Sequence, residues 1–196
     1  TDVSWDSFTR RYNADLANDF GNLVNRSVSM VNRYLDGERP APRGTDSSPL
    51  AGGWADALTG YGERLEGCLL HEALAELWAF VGAANRTVDA EQPWAIAKAA
   101  KAGDEQAADR LRGVLGDLVE ACRVVGLAVA PFMPGKAPRI LDQLGYDYPY
   151  APDGNGGPPL ADLLAWSGGY RAGRVAAQPV PLFPRLETEA VDGAPV

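Results

Sequence analysis

Residues 11–26 read RYNADLANDFGNLVNR, and at about 100° per residue they form a helix with two unlike faces. The large apolar side chains of residues 1–34 fall on one broad arc, which predicts that this side of the helix is buried. Asn18, Asn22 and Arg26 follow at four-residue steps and form a polar stripe near the edge of the arc. The arc consists of Trp5, Phe8, Tyr12, Leu16, Phe20, Leu23, Met30, Val31 and Tyr34.

This Asn–Arg stripe (Asn18, Asn22 and Arg26) allows two interpretations. Asn carries both a donor and an acceptor, and Arg carries a rigid fork of donors, so the stripe is able to hydrogen-bond the edges of nucleic-acid bases. Polar residues on one side of a helix are, however, more often a face that contacts only water. The pattern alone favours the second interpretation.

Apolar spacing predicts three long helical regions. The first begins at an N-cap, Ser4 or Asp2, and continues to about residue 35. Apolar side chains recur at three- and four-residue steps over residues 54–88, which is typical of one long or broken amphipathic helix. They recur again over residues 105–130, where we expect one buried side.

Proline and glycine mark the shorter elements. Pro93 suits the first turn of a short helix, and Gly145 suits the end of another short helix over residues 136–144. The prolines after residue 178 prevent a regular helix, so this segment is expected to be extended and packed on a surface. We therefore predict an all-α helical bundle over residues 1–177 and an extended C-terminal tail over residues 178–196.

The charge of the chain argues against strong nonspecific binding to a nucleic-acid backbone. Lys and Arg number 18 and Asp and Glu 26, so the net charge is −8, whereas phosphate binding calls for a basic surface. The acidity is uneven, however: residues 1–45 carry six basic and six acidic side chains, and residues 46–92 carry two and eight. The charge therefore permits a local contact between bases and the Asn–Arg stripe.

The sequence indicates neither a metal site nor a membrane segment. Cys68 and Cys122 are too few for a disulfide framework, which favours a reducing cytoplasm. Cys68 and His71 lie three residues apart on a predicted helix, but structural zinc needs about four ligands, so we expect these two to be packed or half-buried. The longest apolar stretch, residues 124–133, is too short to cross a bilayer.

Four segments resemble, in order, the anticodon-binding domain of methionyl-tRNA synthetase, a class I enzyme. They span nearly the whole chain, and their order makes the resemblance specific, although any one of them is weak alone. The resemblance implies a helical bundle of the class I synthetase anticodon-binding type. The segments are RYNADLANDFGNLVNR at 11–26, ANR at 84–86 leading to QPWAIAK at 92–98, LAVAPFMP at 127–134 and PLFPRLE at 181–187.

The resemblance also implies a binding site for the anticodon C-A-U of methionine tRNA. By residue-by-residue match, Trp94 corresponds to the family's stacking surface for an unstacked base, and Pro93 fixes the approach to its indole. Asn18, Asn22 and Arg26 correspond to the polar side chains that bond base edges. The other tryptophans, Trp5, Trp54, Trp78 and Trp166, are interpreted as packing residues.

The chain lacks the family's catalytic signatures, His-Ile-Gly-His and Lys-Met-Ser-Lys-Ser. The resemblance therefore implies an ATP-dependent ligase whose ATP and methionine sites lie in a catalytic domain outside this sequence, so we expect this chain to bind no cofactor and to be inactive alone. The implied partners are methionine tRNA and the catalytic domain of the same enzyme, toward which the tail folds back. The tail resembles the C-terminal segment of the shorter form of the enzyme, so the resemblance also implies a monomer.

Two other functions fit the same sequence. One is a free-standing helical tRNA-binding or regulatory module derived from that domain, without aminoacylation. The other is a helical interaction domain that keeps the packing motifs and has lost RNA recognition. The joint presence of the Asn–Arg stripe and Trp94 argues against the latter.

Overall fold

The computed structural model describes residues 4–150 and 157–187 of the chain. This part is an all-α bundle, as predicted, and its only β-type pairing is an isolated antiparallel bridge between Glu38 and Arg174. No helix in the described ranges is long and apolar enough to cross a membrane. The helices are α1 (Trp5–Arg11), a π-helical segment (Tyr12–Phe20), α2 (Gly21–Leu35), α3 (Pro49–Glu66), α4 (Leu70–Glu91), α5 (Pro93–Lys101), α6 (Glu105–Ala128), α7 (Ala137–Gln143) and α8 (Leu160–Leu164).

The first long helix begins at Ser4, one of the two predicted N-caps, whose side chain accepts a hydrogen bond from the backbone N–H of Ser7. The other candidate, Asp2, lies outside the described residues. The helix then continues as α1, the π-helical segment and α2. The wider π turns were not predicted. Because they rotate the chain by less than 100° per residue, a single helical projection does not describe the faces of α1 and α2 together.

Contacts with α4 accompany the π-helical segment. The indole N–H of Trp78 donates to the carbonyl of Asp15 at 2.9 Å, and the amide of Asn85 donates to the carbonyl of Asp19 at 3.2 Å. Because these bonds join the segment to another helix, they stabilise a backbone geometry that local propensity alone does not favour.

The tryptophan predictions hold for three of the four residues. Trp54, Trp78 and Trp166 pack in the bundle, and each donates its indole N–H to a backbone carbonyl. Trp5 is 63% exposed and Phe8 is 48% exposed, so the prediction that they are buried is wrong. Tyr12 and Leu16 of the π-helical segment pack against the core and Phe20 is fully buried, so the large apolar side chains of this helix enter the core only beyond α1.

The predicted 54–88 region is broken into α3 and α4, which pack against each other. The break lies at residues 67–69, where Cys68 has a positive φ of 56°. Cys68 and His71 are both exposed, and Cys68 lies in this turn rather than in a helix. The expectation that both are packed or half-buried helical residues is therefore wrong: Cys68 lies in the exposed turn, and His71 is exposed in the first turn of α4.

Helix α6 occupies the centre of the bundle. Every residue from Val114 to Ala128 is buried, whereas the sequence predicted a helix with one buried side. The difference arises because α6 is covered by helices α2, α3, α4, α5, α7 and α8 and also by irregular segments of the chain.

Buried charges on α6 bind these irregular segments. Asp117 accepts hydrogen bonds from the backbone N–H and Nε of Arg43, at 2.7 and 2.8 Å, and from the hydroxyl of Ser48 at 2.6 Å. Since a buried carboxylate without partners is costly, these bonds hold the connection between α2 and α3 against the central helix.

A second buried pair binds α8 and the segment after it. Arg123 makes two hydrogen bonds to the carboxylate of Glu120, at 2.8 and 2.6 Å, and donates to the carbonyl of Leu163 at 2.7 Å. The same carboxylate accepts the backbone N–H of Ser167 at 2.6 Å. The pair is thus bonded on both sides by the chain that covers it.

Gly116 on α6 tests whether this coverage matters for stability. A Cβ at this position would overlap the carbonyl oxygen of Ala41, so Gly116→Ala is expected to lower the free energy of unfolding by about 1–3 kcal/mol. Gly62→Ala is the matched control, because a Cβ at Gly62 meets nothing within 4 Å and alanine favours a helix by about 0.5–1 kcal/mol. Urea unfolding of both variants measures the difference, and equal effects would contradict the packing described.

Candidate nucleic-acid interface

The Asn–Arg stripe lies beside a groove between the first long helix and the C-terminal segment. Asn18 is in the π-helical segment, and Asn22 and Arg26 are on α2. Asn18 and Asn22 line the groove, whose volume is about 880 Å³. The groove is lined by Ala17, Asn18, Gly21, Asn22, Asn25, Pro181, Leu182, Phe183, Pro184 and Arg185.

The far wall of the groove is formed by residues 181–185. Residues 178–187 form no helix and lie on the bundle, whereas residues 188–196 of the predicted extended tail lie outside the described residues. The side-chain amide of Asn13 both donates to the carbonyl of Leu186 and accepts its N–H, each at 2.9 Å. The ammonium group of Lys136 donates to the carbonyl of Leu182 at 2.6 Å. Because these side chains bond the backbone of the segment, they hold it on the bundle although it forms no helix or strand of its own.

Phe183 provides the apolar part of the same attachment. Its ring is buried and lies 6.5 Å from the ring of Tyr12 and 6.4 Å from that of Phe20, between centroids. A Cβ on Gly21 would come within 3.3 Å of the Phe183 ring and 2.9 Å of the carbonyl oxygen of Leu16. Glycine at position 21 therefore permits the close approach of the segment to the helix.

The two asparagines of the stripe differ in their bonding. The Oδ1 of Asn18 accepts a hydrogen bond from Nη2 of Arg185 at 2.7 Å. Asn22 is exposed, and its amide forms no hydrogen bond with other residues of the described ranges. Asn22 therefore keeps both its donor and its acceptor for a ligand, whereas Asn18 keeps only part of its capacity.

Arg26 is paired with Asp89 on α4, with 3.0 Å between Nη2 and Oδ1. The two side chains are 31% and 69% exposed, and an exposed pair of this kind contributes little to stability, about 0–1 kcal/mol. An incoming polar group can replace Asp89 at low cost. The pair also joins the stripe to the end of α4, five residues before Trp94.

Trp94 lies at an abrupt corner between two helices. Gln92, which ends α4 and precedes α5, has a left-handed backbone with φ of 46°. Pro93 occupies the first turn of α5, as predicted, and is buried. Trp94 follows with 46% of its surface exposed, so its ring is accessible for stacking.

The structure thus places Asn18 and Asn22 in one groove and pairs Arg26 with α4, whereas Trp94 lies on α5 outside that groove. Asp89 was not predicted, and its only sequence signal is an acidic residue shortly before the Pro-Trp pair. Arg185 was quoted within a motif but given no role, although it is the only basic residue after Arg174.

The acidic residues closest in sequence to Asn18 face a different groove. Asp15 and Asp19 line an apolar groove with Phe8, Tyr12 and Trp78 among others. Burial raises the pKa of Asp19, and the negative charge of Asp15 raises it further. Neither carboxylate is therefore among the groups that line the groove beside Asn22.

Cys68 and His71 do not belong to a metal site in the described ranges, although a carboxylate oxygen of Glu72 lies 3.9 Å from Nε2 of His71. Within residues 4–150 and 157–187, no group of three or more His, Cys, Asp or Glu side chains is arranged to hold a metal ion. Cys122 is buried, and this burial raises the pKa of its thiol to about 12, against a smaller lowering by the hydrogen bond to Ser27.

No family model matches the chain, but comparison with known proteins finds similar methionine–tRNA ligases. The chain is 34% identical over 185 residues to the methionine–tRNA ligase of Clostridium tetani, covering 93% of this chain and 26% of the ligase. It is 34% identical over 192 residues to that of Enterococcus faecalis, covering 94% of this chain and 26% of the ligase. The chain therefore spans about a quarter of the length of these relatives.

Solved structures agree with the sequence comparison. The apo form of Mycobacterium tuberculosis methionyl-tRNA synthetase superposes with a TM-score of 0.73 at 31% identity, covering 95% of this chain and 35% of that one. The same enzyme in complex with methionyl-adenylate gives a TM-score of 0.71, also at 31% identity, covering 93% and 34%. The chain is therefore homologous to methionyl-tRNA synthetases over nearly its whole length and corresponds to their C-terminal domain.

Proposed function

We propose that this chain recognises the C-A-U anticodon of methionine tRNA as the C-terminal domain of a methionyl-tRNA synthetase. The observation that carries the proposal is the half-exposed ring of Trp94 at the corner made by Gln92 and the buried Pro93. Large aromatic rings are normally buried, and this one lies five residues from the partner of Arg26. Single-stranded loops are recognised by such a combination of stacking and edge-directed bonds.

The bonding of the stripe supports the same function. Asn22 has a free donor and a free acceptor among the described contacts, which suits hydrogen bonding to a Watson–Crick edge. Arg26 can exchange the exposed carboxylate of Asp89 for a base or phosphate oxygen, because the existing pair is weak. Recognition then needs little rearrangement of the bundle.

We further propose that the chain acts joined to the catalytic domain of the same enzyme, as a monomer in the cytoplasm. Methionine and ATP bind in that domain, and this chain contributes the choice of tRNA. The coverage of about a quarter of each relative supports this division. A free-standing tRNA-binding module remains the alternative, and a catalytic domain encoded in the same reading frame would exclude it.

The stacking role of Trp94 is tested by Trp94→Ala. The variant should lose about 1–3 kcal/mol of binding free energy for an anticodon stem-loop carrying C-A-U, because one base loses its stacking surface. Its melting temperature should change little, since the ring is 46% exposed.

Trp5→Ala is the matched control, because Trp5 is also exposed but lies on α1 outside the site. Fluorescence titration and thermal unfolding of both variants give the answer. Equal losses of affinity in the two variants, or unfolding of Trp94→Ala, would show that Trp94 does not stack on the RNA.

The roles of Asn22 and Arg26 are tested by measuring how well variants at these positions discriminate between anticodons. Asn22→Ala and Arg26→Ala should reduce the preference for C-A-U over single-base changes more than they reduce affinity for C-A-U, because edge-directed bonds carry the sequence information. Arg33→Ala is the control, since Arg33 is an exposed arginine on the same helix. Unchanged preference in both site variants would leave the stripe as a solvated face.

The absence of a catalytic role is tested with the isolated chain. We expect no methionine-dependent exchange of pyrophosphate into ATP, because neither catalytic signature of the family occurs in the sequence. Exchange that co-purifies with the chain through two independent columns would contradict the assignment to the C-terminal domain.

A further inference from the structure

We propose that Arg185 is a positioning residue that holds Oδ1 of Asn18, so that Asn18 presents the N–H donors of Nδ2 to a base in the groove. This inference rests on the proposed function and deepens it. It assigns a hydrogen-bond polarity to one member of the stripe, and therefore a class of base edge that this member recognises.

The contact between the two side chains determines which end of the amide faces which partner. An asparagine amide can usually be turned by 180° with little effect on its shape. A guanidinium, however, has five N–H donors and no acceptor. The atom of Asn18 that lies 2.7 Å from Nη2 of Arg185 must therefore be Oδ1, and the two N–H donors of Nδ2 remain for other partners.

Arg185 is held in place by its neighbours in the C-terminal segment. Leu186 is bonded on both its N–H and its carbonyl by Asn13, at 2.9 Å each. Phe183 is buried between the rings of Tyr12 and Phe20. The backbone on either side of Arg185 is thus attached to the same helix that carries Asn18, and the guanidinium needs little further ordering to reach it.

An Asn18 amide held in this orientation restricts the base edge that its Nδ2 end can bond. The N–H groups of Nδ2 pair with a carbonyl oxygen or a ring nitrogen, whereas an exocyclic amine at the same place would set donors against donors. The unaltered chain should therefore discriminate, at one anticodon position, between bases that exchange a carbonyl for an amine. Asn22 has no such restriction, because its amide has no hydrogen bond among the described contacts.

The test uses four stem-loops: C-A-U and the three single changes U-A-U, C-G-U and C-A-C, each of which exchanges an amine and a carbonyl on a Watson–Crick edge. Arg185→Ala frees the amide of Asn18 to turn, so discrimination at one position should fall about 2- to 12-fold, the range for a single hydrogen bond. Discrimination at the other two positions should be unchanged. Arg185→Lys retains a donor and should restore part of the loss.

Two further variants separate this role from simple charge effects. Asn18→Asp keeps an acceptor for Arg185 but removes the N–H donors, so it should lose the same discrimination while retaining the attached segment. Arg139→Ala removes an exposed positive charge from α7 that does not line the groove, and should leave the ratios between the four stem-loops unchanged.

The outcomes are distinct. Equal loss of affinity for all four stem-loops in Arg185→Ala, or unchanged ratios, would overturn the positioning role and assign Arg185 to backbone contact or to packing. Failure of the unaltered chain to prefer C-A-U over all three changed loops would instead overturn the proposed function itself.

Discussion

The complete burial of α6 is the constraint on which the rest of the structure depends. A helix that is covered on every side from Val114 to Ala128 must satisfy each polar group within the protein. Asp117, Glu120 and Arg123 do so by bonding the chain that crosses over them. The irregular segments before α3 and after α8 are therefore structural parts of the bundle. Their conformations are fixed by bonds to the buried charged side chains of α6.

The candidate site has the opposite energetics. The pair between Arg26 and Asp89 is exposed, Asn22 is unpaired within the described ranges, and the ring of Trp94 is half accessible. Such groups exchange water or a weak partner for a ligand at little cost, whereas the bonds around Asp117 would be expensive to break. The bundle thus separates groups that maintain its shape from groups available for recognition.

Local signals in the sequence predicted several features because their physics is local. Ser4 caps a helix through a residue three positions away, Pro93 loses no hydrogen bond in a first turn, and Gly145 takes the positive φ that follows α7. The projection at 100° per residue failed for Trp5 because it assumed regular α-helix through residues 12–20. The wider turns there depend on bonds from α4, which no local pattern reports.

The sequence by itself determined the helical class, the positions of most helix ends and, through its ordered motifs, the family and the residues that resemble an anticodon site. Only the tertiary structure decided the bonding state of those residues. Arg185 and Asn18 are 167 positions apart in the chain, and Arg26 and Asp89 are 63 apart. Hydrogen bonds act over about 3 Å in space, so the groups that meet a side chain depend on how the helices pack, and spacing along one helix does not reveal them.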